Sequence, residues 1–396
     1  MNLSDIKSAQ FNDTFYPMVD GVVQVVHNYA SIMNRDAYTC VVTPRVRGEF
    51  DDTALPYDVL RTAAVKLNIA EYDIPAPKFD LSLKKRLQSK NIDIFHVHSP
   101  FMEGAFAQSF AKQLSIPCIS TFHSKYYDDV INITGSKTLA KIVSKRIVRF
   151  YNKLDAVWTV SDGAAETLRQ YGYKGDITIM KNGTTYSMPD NADEIRKRAQ
   201  IVYKIPTDKH IVLFVGHQIW HKNLKLVLDT FRLINDFSDD YRLIIAGNGY
   251  DEKEIKAYAK SLNFSKDVVR FLGRINDREL LMGVYLSSHL LFFPSMYDTS
   301  GLVVREAASL GVPSLLTEGS AASGAIKKDI SGFTAAENKL SMYQEIVRIF
   351  SNEKLYRSVA ENAREHVAKT WEQIIPDVRL KYAEIIEKYN FEHKLT

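Results

Sequence analysis

The sequence predicts an α/β protein with two doubly wound, Rossmann-like domains whose parallel sheets face each other across a cleft. Short apolar runs rich in β-branched and aromatic residues alternate with amphipathic helical stretches along the 396-residue chain. Because these runs are apolar throughout, they are typical of strands buried on both faces of a parallel sheet. A polar segment without strand character, residues 184–209, interrupts the alternation near the middle. Such domains bind ligands at the carboxyl ends of their strands.

Strands are expected in both halves of the chain, with helices between them that form β-α-β units. In the first half the expected strands are residues 37–44, 93–98, 117–122, 156–161 and 177–182. In the second half they are residues 210–216, 241–247, 268–273, 289–294 and 312–317.

The domain boundaries follow from the polar interruption. The last residues, 371–396, have a helical pattern with Trp371 and Tyr382 as apolar anchors. The predicted units before them are an N-terminal domain over residues 1–186, a linker over residues 187–207, and a C-terminal domain over residues 208–370.

The composition and charge of the chain argue against several classes of function. A net charge of +4 is far from the dense basicity of a dedicated nucleic-acid binder. Cys40 and Cys118 have no C-x-x-C spacing, which indicates buried thiols in a reducing compartment. The first ten residues lack the apolar core of a signal peptide, and no segment has the pattern of a membrane span. We therefore expect a cytoplasmic protein, with peripheral attachment to the inner face of the cell membrane left open.

The stretch PSMYDTSGLVVREAASLG, residues 294–311, combines a strand end with a helix start. Thr299 and Ser300 are residues of the N-cap type, and Gly311 is a helix stop signal. The first turn of such a helix has free backbone N–H groups that, together with the helix dipole, favour a phosphate. The residues expected to supply these N–H groups are Ser300, Gly301 and Leu302.

Two carboxylates stand on either side of this expected anion site. Asp298 precedes it, and Glu306 lies about 9 Å along the helix axis beyond Ser300 at ~1.5 Å per residue. A nucleotide-sugar has groups in the same order, namely hexose hydroxyls, diphosphate and ribose hydroxyls, and carboxylates accept hydrogen bonds from hydroxyl groups. The alternative is that Asp298 only helps to cap the helix and that Glu306 is solvated. Against it, the helix around Glu306 is apolar, and an unpaired buried carboxylate is costly.

This segment resembles the carboxylate motif of retaining glycosyltransferase family 4, whose members have the two-domain GT-B fold. The usual family pattern is PS-x-x-E-(T/P)-F-G-L-(V/P)-x-x-E-A. Asp298 stands at the first glutamate position and Ser300 at the aromatic position, and both depart from the pattern. The resemblance implies that Asp298 contacts the hexose hydroxyls of a nucleotide-sugar donor and that Glu306 contacts its ribose.

Further segments extend the resemblance over nearly the whole chain. FVGHQIWHKNLKLVLDTF, residues 214–231, is similar to a family segment in which a lysine, here Lys222, neutralises the donor diphosphate. His217 stands where the family usually has an arginine. Gly21, before the first helix, would let the backbone approach the diphosphate closely. Arg274 is a candidate for contact with the nucleotide base.

The opposite wall of the expected cleft comes from the first half of the chain. His123, in STFHSKYY, matches a family histidine that contacts the transferred sugar, although a lone histidine after a strand is more often structural. Residues 93–104 and 121–129 resemble the segments that line the sugar and acceptor end. Their acceptor-side candidates are His98, Tyr126 and Tyr127.

The resemblance implies transfer with retention at the anomeric carbon, with His123, Lys222 and Asp298 as the catalytic residues. No Asp-x-Asp occurs in the chain, so we expect neither a bound metal nor another cofactor, and protein charges have to stabilise the departing diphosphate. A glycosidase is disfavoured, because the expected separation of Asp298 and Glu306 exceeds the ~5–5.5 Å of retaining hydrolases.

The acceptor is indicated by a basic amphipathic segment, KTLAKIVSKRIVRFYNK, residues 137–153, which contains no acid. Such a helix can lie on an anionic membrane surface; the alternative is a core-facing helix with a solvated basic back. Several segments, including YPMVDGVV and EGSAASGAIKKDISGF, most resemble bacterial glycosyltransferases that glucosylate diacylglycerol. We therefore expect transfer of a hexose, glucose from UDP-glucose, to a membrane lipid such as diacylglycerol.

Three alternatives stay open. The same fold acts on polysaccharide, cell-envelope or other soluble acceptors, and it also supports sugar-nucleotide epimerases. A non-catalytic nucleotide-sugar-binding protein is the third. For the C-terminal segment 371–396, the resemblance implies a helix that packs back on the N-terminal domain.

Overall fold

The computed structural model describes residues 2–46, 50–65 and 74–394. The chain divides into two compact units. Unit 1 consists of Met1–Asn182 together with Trp371–Thr396, and unit 2 consists of Gly183–Thr370.

Strands and helices alternate along the first part of unit 1. The strands are β1 (Ser8–Phe11), β2 (Thr39–Pro44), β3 (Asp58–Thr62), β4 (Ala64–Val65), β5 (Ile74–Pro75), β6 (Ile94–Val97), β7 (Cys118–Phe122), β8 (Ala156–Thr159) and β9 (Thr178–Ile179). The helices are α1 (Gly21–Met33), α2 (Leu81–Ser89), α3 (Met102–Leu114), α4 (Tyr126–Thr134), α5 (Lys137–Tyr151) and α6 (Asp162–Gln170). Seven strands form a parallel sheet in the order β3-β2-β1-β6-β7-β8-β9, and β4 pairs with β5 antiparallel.

Unit 2 repeats this alternation. Its strands are β10 (His210–Val215), β11 (Tyr241–Ala246), β12 (Val269–Gly273), β13 (Leu290–Phe293), β14 (Ser314–Thr317) and β15 (Phe333–Ala335). Its helices are α7 (Ala192–Tyr203), α8 (Leu224–Phe237), α9 (Glu252–Ser261), α10 (Arg278–Leu286), α11 (Leu302–Ser309), α12 (Lys339–Ser351) and α13 (Glu353–His366). The six strands form a parallel sheet in the order β12-β11-β10-β13-β14-β15.

Both sheets reverse their strand order at a central strand. In unit 1, β1 lies between β2 and β6, and in unit 2, β10 lies between β11 and β13. Doubly wound sheets bind ligands at the carboxyl ends of the strands beside such a reversal. The topology therefore predicts ligand contacts from the segments after β1 and β6 in unit 1 and after β10 and β13 in unit 2.

All the strands expected from the sequence are present, but β1, β3, β15 and the two-residue strands β4 and β5 were not anticipated. The sequence of β1, Ser-Ala-Gln-Phe, is fully buried although two of its residues are polar. An apolar run cannot reveal such a strand, because its polar side chains are satisfied by hydrogen bonds from distant segments. The strand β3 lies at the edge of its sheet and is partly exposed, and β15 has only three residues.

Residues 187–207, predicted to be a linker, instead contain α7, which belongs to unit 2. Ile195 and Ala199 are buried in this helix. A Cβ added to Gly283 of α10 would lie 2.6 Å from the Cβ of Ala199, so α7 and α10 pack in close contact. The many charged residues of the segment concealed the narrow apolar side of the helix.

The last helix, α14 (Trp371–Lys394), belongs to unit 1 although unit 2 precedes it in the chain. The Trp371 ring contacts Tyr29 with 5.8 Å between centroids, and Tyr382 stacks on Trp158 at 5.6 Å. Residues 395–396 of the expected C-terminal segment lie outside the described residues. Within the described ranges, no helix combines the length and the apolar character needed to cross a lipid bilayer.

Candidate functional site

In unit 2, the main candidate residues follow the two strands at the order reversal. Lys222 ends a short 3-10 helix (Trp220–Lys222) that comes after β10. Asp298 and Ser300 lie between β13 and α11, and Glu306 lies within α11. The structure thus places the residues after β10 and those after β13, which together form the predicted donor site, at the carboxyl edge of one sheet. This fold binds ligands at that edge.

Lys222 and Asp298 form an ion pair at this edge. The Lys222 Nζ atom lies 2.7 Å from Oδ1 of Asp298, and the two side chains are 12% and 21% exposed. The other carboxylate oxygen, Oδ2, accepts a hydrogen bond of 2.6 Å from Ser295 Oγ. The Lys222 ammonium also lies 5.3 Å from the centroid of the Phe293 ring. This edge therefore carries one positive and one negative group that can contact polar groups of a ligand. Ser295, which donates to the carboxylate, was not identified from the sequence.

The start of α11 differs from the expected cap. Gly301, not Thr299 or Ser300, occupies the N-cap position, with a φ of 58° in the left-handed region that favours glycine. Ser300 is buried before the cap. The N–H groups of Leu302 and Val303 begin the helix and have no acceptor within it, so they are the anion-binding candidates.

Glu306 is held by a buried tyrosine. The Tyr285 hydroxyl, on α10, donates a hydrogen bond of 2.8 Å to Glu306 Oε2. Burial raises the pKa of Glu306, while the hydrogen bond from Tyr285 and the charge of Arg278 act in the opposite direction. One carboxylate oxygen is therefore fixed by the protein, and the carboxylate remains able to accept further hydrogen bonds. Tyr285 lies 21 residues from Glu306 in the sequence, so its role was not predictable.

Glycines bring the loops of this edge into close contact. A Cβ on Gly247 would lie 2.0 Å from the carbonyl oxygen of Gly216, and a Cβ on Gly249 would lie 2.3 Å from that of Gln218. The Lys222 side chain lies along Gly216, since a Cβ there would be 3.4 Å from Lys222 Cδ. The glycine pair after β11 therefore serves loop packing beneath Lys222.

Two further donor candidates are exposed at the same edge. His217 follows β10, and its carbonyl oxygen accepts a hydrogen bond of 3.0 Å from the Ile219 N–H. Arg274 follows directly after β12. The side chains of both residues are accessible to a ligand, and their roles remain predictions.

In unit 1, the histidine candidates form a buried hydrogen-bonded group. His98 Nδ1 lies 3.0 Å from His123 Nε2, and His98 Nε2 lies 2.9 Å from Oε1 of Gln10. A third histidine, His96, bonds to the Tyr382 hydroxyl at 2.6 Å and to Thr121 Oγ1 at 2.7 Å. The sequence marked His98 and His123, but it did not mark Gln10 or His96, which lie on strands.

The other candidates of unit 1 are less accessible or lie at element ends. Tyr126 is buried, with its ring 5.4 Å from that of Phe101 and 5.7 Å from that of Phe122, so it serves mainly the core. The Tyr127 N–H donates to the Tyr171 hydroxyl at 2.7 Å. Gly21 is the first residue of α1 and is exposed.

Two carboxyl groups that sequence reasoning missed lie near these candidates. Asp13, after β1, accepts hydrogen bonds from Ser99 Oγ at 2.5 Å and from the Glu103 N–H at 3.0 Å. Glu103 is fully buried, and burial raises its pKa to about 8. Asp13 thus ties together the segments after β1 and β6, and burial favours the uncharged form of Glu103.

The buried histidines should make the protein sensitive to acid. Burial lowers the pKa of His123 from 6.5 to about 3, and it lowers the pKa values of His96 and His98 well below 6.5. In the native state these three histidines stay unprotonated, whereas in the unfolded state they bind protons below their ordinary pKa of 6.5. The contribution of the neutral histidines to the free energy of unfolding is therefore complete above pH 6.5 and is lost as the pH falls toward 3. Each histidine contributes up to ~1.4 kcal/mol per pH unit to this loss.

Urea unfolding between pH 7.5 and pH 5 measures this dependence. The free energy of unfolding of His123→Gln should fall less steeply with acid than that of the parent protein. The difference in slope should correspond to one proton fewer taken up on unfolding. Glu103 acts in the opposite direction, because its raised pKa favours folding as the pH falls, but it contributes equally to both proteins. Parallel slopes would show that His123 does not stay neutral in the native state.

Two family models match the chain. The model described as "Glycosyltransferase Family 4" matches residues 19–186. The model described as "Glycosyl transferases group 1" matches residues 195–366. The first match lies in unit 1 apart from its last four residues, 183–186, and the second lies within unit 2.

Similar proteins agree with these matches. An alpha-monoglucosyldiacylglycerol synthase of Streptococcus pneumoniae is 23% identical over 311 residues, which cover 76% of this chain and 69% of that protein. Sucrose-phosphate synthase from Thermosynechococcus elongatus has a TM-score of 0.76 at 18% identity, over 97% of this chain and 100% of that one. Anabaena Alr3699/HepE in complex with UDP-glucose has a TM-score of 0.73 at 15% identity, over 97% and 100%. These likenesses confirm the predicted GT-B fold.

Proposed function

The chain belongs to glycosyltransferase family 4, among the group 1 glycosyl transferases, and we propose that it transfers glucose from UDP-glucose to a membrane lipid such as diacylglycerol. Family membership establishes the class of the enzyme, a glycosyltransferase. The donor, the acceptor, the retention of configuration and the independence from metal ions are our proposal.

The observation that carries the donor proposal is the Lys222–Asp298 ion pair beside α11. Lys222 supplies a positive charge at an edge where this fold binds ligands, and its ammonium is held within 2.7 Å of the Asp298 carboxylate. Asp298 offers acceptor oxygens to sugar hydroxyls, and Glu306 offers them to ribose hydroxyls. A nucleotide diphosphate sugar has a matching set of groups, and the Anabaena protein of similar fold was crystallised with UDP-glucose.

The proposed chemistry places the protein charges where negative charge develops. As the bond between the anomeric carbon and the diphosphate breaks, the departing UDP gains charge, which Lys222 and the N–H groups of Leu302 and Val303 stabilise. The acceptor hydroxyl attacks the anomeric carbon from the same face and gives its proton to an oxygen of the departing diphosphate, so configuration is retained without a covalent enzyme intermediate. In this scheme Asp298 accepts hydrogen bonds from the hydroxyl groups of the transferred sugar.

A donor panel tests this function. Purified protein is incubated with UDP-, GDP- and ADP-hexoses in the presence of EDTA, with and without liposomes that contain diacylglycerol. We expect release of UDP from UDP-glucose only when the lipid is present, together with a new glycolipid. Transfer to a soluble glycan instead would show that the acceptor is a polysaccharide and not a lipid. A requirement for added divalent metal would contradict the metal-independent scheme.

The lipid acceptor is supported by the surface of α5. The inward side of this helix contributes Ala140, Ile147 and Tyr151 to the core. Its outward side carries basic residues and two exposed apolar residues, Leu139 and Ile142, which are 41% and 59% exposed. At 100° per residue, Ile142 lies in the middle of this outward side, between the directions of Lys145 and Arg146. The basic residues there are Lys141, Lys145, Arg146 and Arg149.

A helix of this kind binds the surface of an anionic membrane by two contributions. The cations are attracted to anionic lipids, by about 1 kcal/mol for each Lys or Arg near the surface, and exposed apolar groups insert among the headgroups. Ile133, near the end of the neighbouring helix α4, is also exposed, at 83%. A core-facing helix with a solvated back explains the cations, but it gives no role to Ile133 and Ile142.

Replacing Ile142 by serine should weaken binding to vesicles that contain anionic lipid. We expect a loss of about tenfold, because insertion of an isoleucine side chain contributes ~1–2 kcal/mol. Vesicle sedimentation at two salt concentrations measures it, and Ile201→Ser, an exposed isoleucine on α7 of unit 2, is the matched control. Equal binding by the two variants would show that α5 does not contact the membrane.

A further inference from the structure

The start of α2 in unit 1 exposes two large apolar side chains. Phe79 ends a short 3-10 helix and is 86% exposed, and Leu81, the first residue of α2, is 69% exposed. Asp80, which lies between them, is the N-cap residue of α2. Its Oδ1 accepts a hydrogen bond of 2.9 Å from the Leu83 N–H, and its Oδ2 accepts one of 3.0 Å from the Ala63 N–H. These two bonds hold the backbone in the conformation that presents Phe79 and Leu81 at the surface.

The rest of α2 is basic. Leu83 is buried, and at about 100° per residue Leu81 and Lys85 both lie on the opposite, outward side of the helix. The helix contains no acidic residue. Among the residues that the structure describes, no ion pair neutralises the three cations in the middle of the helix, which are Lys84, Lys85 and Arg86.

The helices α2 and α5 cover the same face of the sheet of unit 1. Leu87 of α2 and Ile147 of α5 belong to one core cluster, together with Val42 of β2. The next residue inward on that strand, Val41, belongs to the separate cluster that includes Val26 of α1. Because successive side chains of a strand point to opposite faces, α2 and α5 lie on one face and α1 lies on the other. A single flat surface can therefore contact the outward sides of both α2 and α5.

The exposed apolar side chains of this face lie near the carboxyl edge of the sheet. A helix that joins two parallel strands runs back from that edge to the opposite one, so its first residues lie near the carboxyl edge. Phe79 and Leu81 are in this position, and so are Phe101 and Met102 at the start of α3 and Leu139 at the start of α5, which are also exposed. Single exposed apolar residues are common, but a group of them at one edge indicates an interaction site.

We propose that the start of α2 is a second membrane contact of unit 1, in which Phe79 and Leu81 insert among the headgroups of the bilayer that α5 binds. The cations of α2 attract the anionic lipids of that bilayer. The inference rests on the proposed function, in which the acceptor is a membrane lipid. Charge favours a membrane over a second copy of this chain, because a two-fold contact would bring the basic helices of both copies together.

Two separate contacts restrict the orientation of unit 1 on the bilayer, which one helix alone does not do. The side chains that insert lie near the carboxyl edge of the sheet. That edge therefore lies near the lipid, and the segments after β1 and β6, where the fold predicts ligand contacts, lie at the same edge. A lipid acceptor then reaches these segments without leaving the bilayer.

A fluorescent probe at position 79 tests this contact in the whole protein. In Phe79→Cys the thiol is labelled with nitrobenzoxadiazole, whose emission increases and shifts to the blue in apolar surroundings. Cys40 and Cys118 are buried and stay unlabelled. We expect both changes when phosphatidylcholine vesicles that contain phosphatidylglycerol are added. Phe237→Cys, at an exposed phenylalanine of α8 in unit 2, is the matched control, and its emission should not change.

Sedimentation with the same vesicles measures how much the contact contributes to binding. We expect Phe79→Ser to weaken binding about tenfold, because an inserted phenylalanine side chain is lost, whereas Phe237→Ser should bind like the parent protein. Since α2 and α5 make separate contacts, the losses from Phe79→Ser and Ile142→Ser should multiply, to about 100-fold in the double variant.

Unchanged emission at position 79, in protein that sediments with the vesicles, would overturn the proposal, as would equal binding by Phe79→Ser and Phe237→Ser. A parent protein that does not bind the vesicles would contradict both membrane contacts. An increase in emission that requires higher protein concentration and no vesicles would identify a second copy as the occupant instead. Failure of the proposed function gives a different result: the donor panel yields no glycolipid, whatever the probe reports.

Discussion

Lys222→Ala is expected to lower kcat/KM for sugar transfer by about 10²–10³-fold, the usual effect of removing one group that stabilises charge in the transition state. The Lys222 ammonium is mostly shielded from solvent, lies 2.7 Å from the Asp298 carboxylate and is held along Gly216. Its loss removes a positive charge that stabilises the negative charge of the departing diphosphate. It also leaves the Asp298 carboxylate without its counter-charge, beside an anionic substrate. We therefore expect both weaker UDP-glucose binding and slower transfer.

Lys225→Ala is the matched control for this variant. Lys225 lies on α8, three residues further along the chain, and its exposed side chain pairs with Asp229. An exposed ion pair of this kind contributes little, so kcat/KM should change by no more than about twofold. Steady-state kinetics, with the free energy of unfolding measured for each variant, separates loss of function from loss of folding. If both lysine variants behave alike, Lys222 does not contact the diphosphate.

Glu306→Ala is expected to weaken UDP binding by about 10–100-fold, because hydrogen bonds to a charged group contribute ~1.5–3 kcal/mol. Tyr285 fixes one oxygen of this carboxylate, so the group is already oriented before a nucleotide arrives. The predicted partners are the ribose hydroxyls. Tyr285→Phe should have a smaller effect in the same direction, since the carboxylate remains but loses its orientation. Isothermal titration calorimetry with UDP measures both effects.

A second nucleotide makes the assignment of Glu306 specific. UDP and 2′,3′-dideoxy-UDP differ only in the ribose hydroxyls, so the parent protein should prefer UDP and Glu306→Ala should bind the two equally. Glu361→Ala, an exposed glutamate on α13, should retain the preference of the parent protein. A preference for UDP that survives in Glu306→Ala would place the ribose elsewhere.

The parts of this protein that could be predicted from sequence are those encoded locally. Buried parallel strands appear as continuous apolar runs, and a helix start after such a strand appears as a cluster of Ser, Thr and Gly. For this reason the α/β class, most strands and the segment from Asp298 to Glu306 were recognised. The strand β1 was not, because its buried Ser8 and Gln10 look like loop residues until their partners are known. The helix α7 was missed because its apolar residues are interrupted by a run of charged ones between Asp193 and Arg198.

The relations between residues were decided by the tertiary structure. Lys222 and Asp298 meet although 76 residues separate them, and Tyr382 reaches Gln10 across 372 residues. These pairs follow from which strands are neighbours and in which register, and from the return of α14 to unit 1. Sequence spacing can indicate that a lysine, a histidine or a carboxylate lies at the end of a strand. It cannot indicate which group faces which, because hydrogen bonds depend on distances of a few ångströms that only the folded sheet establishes.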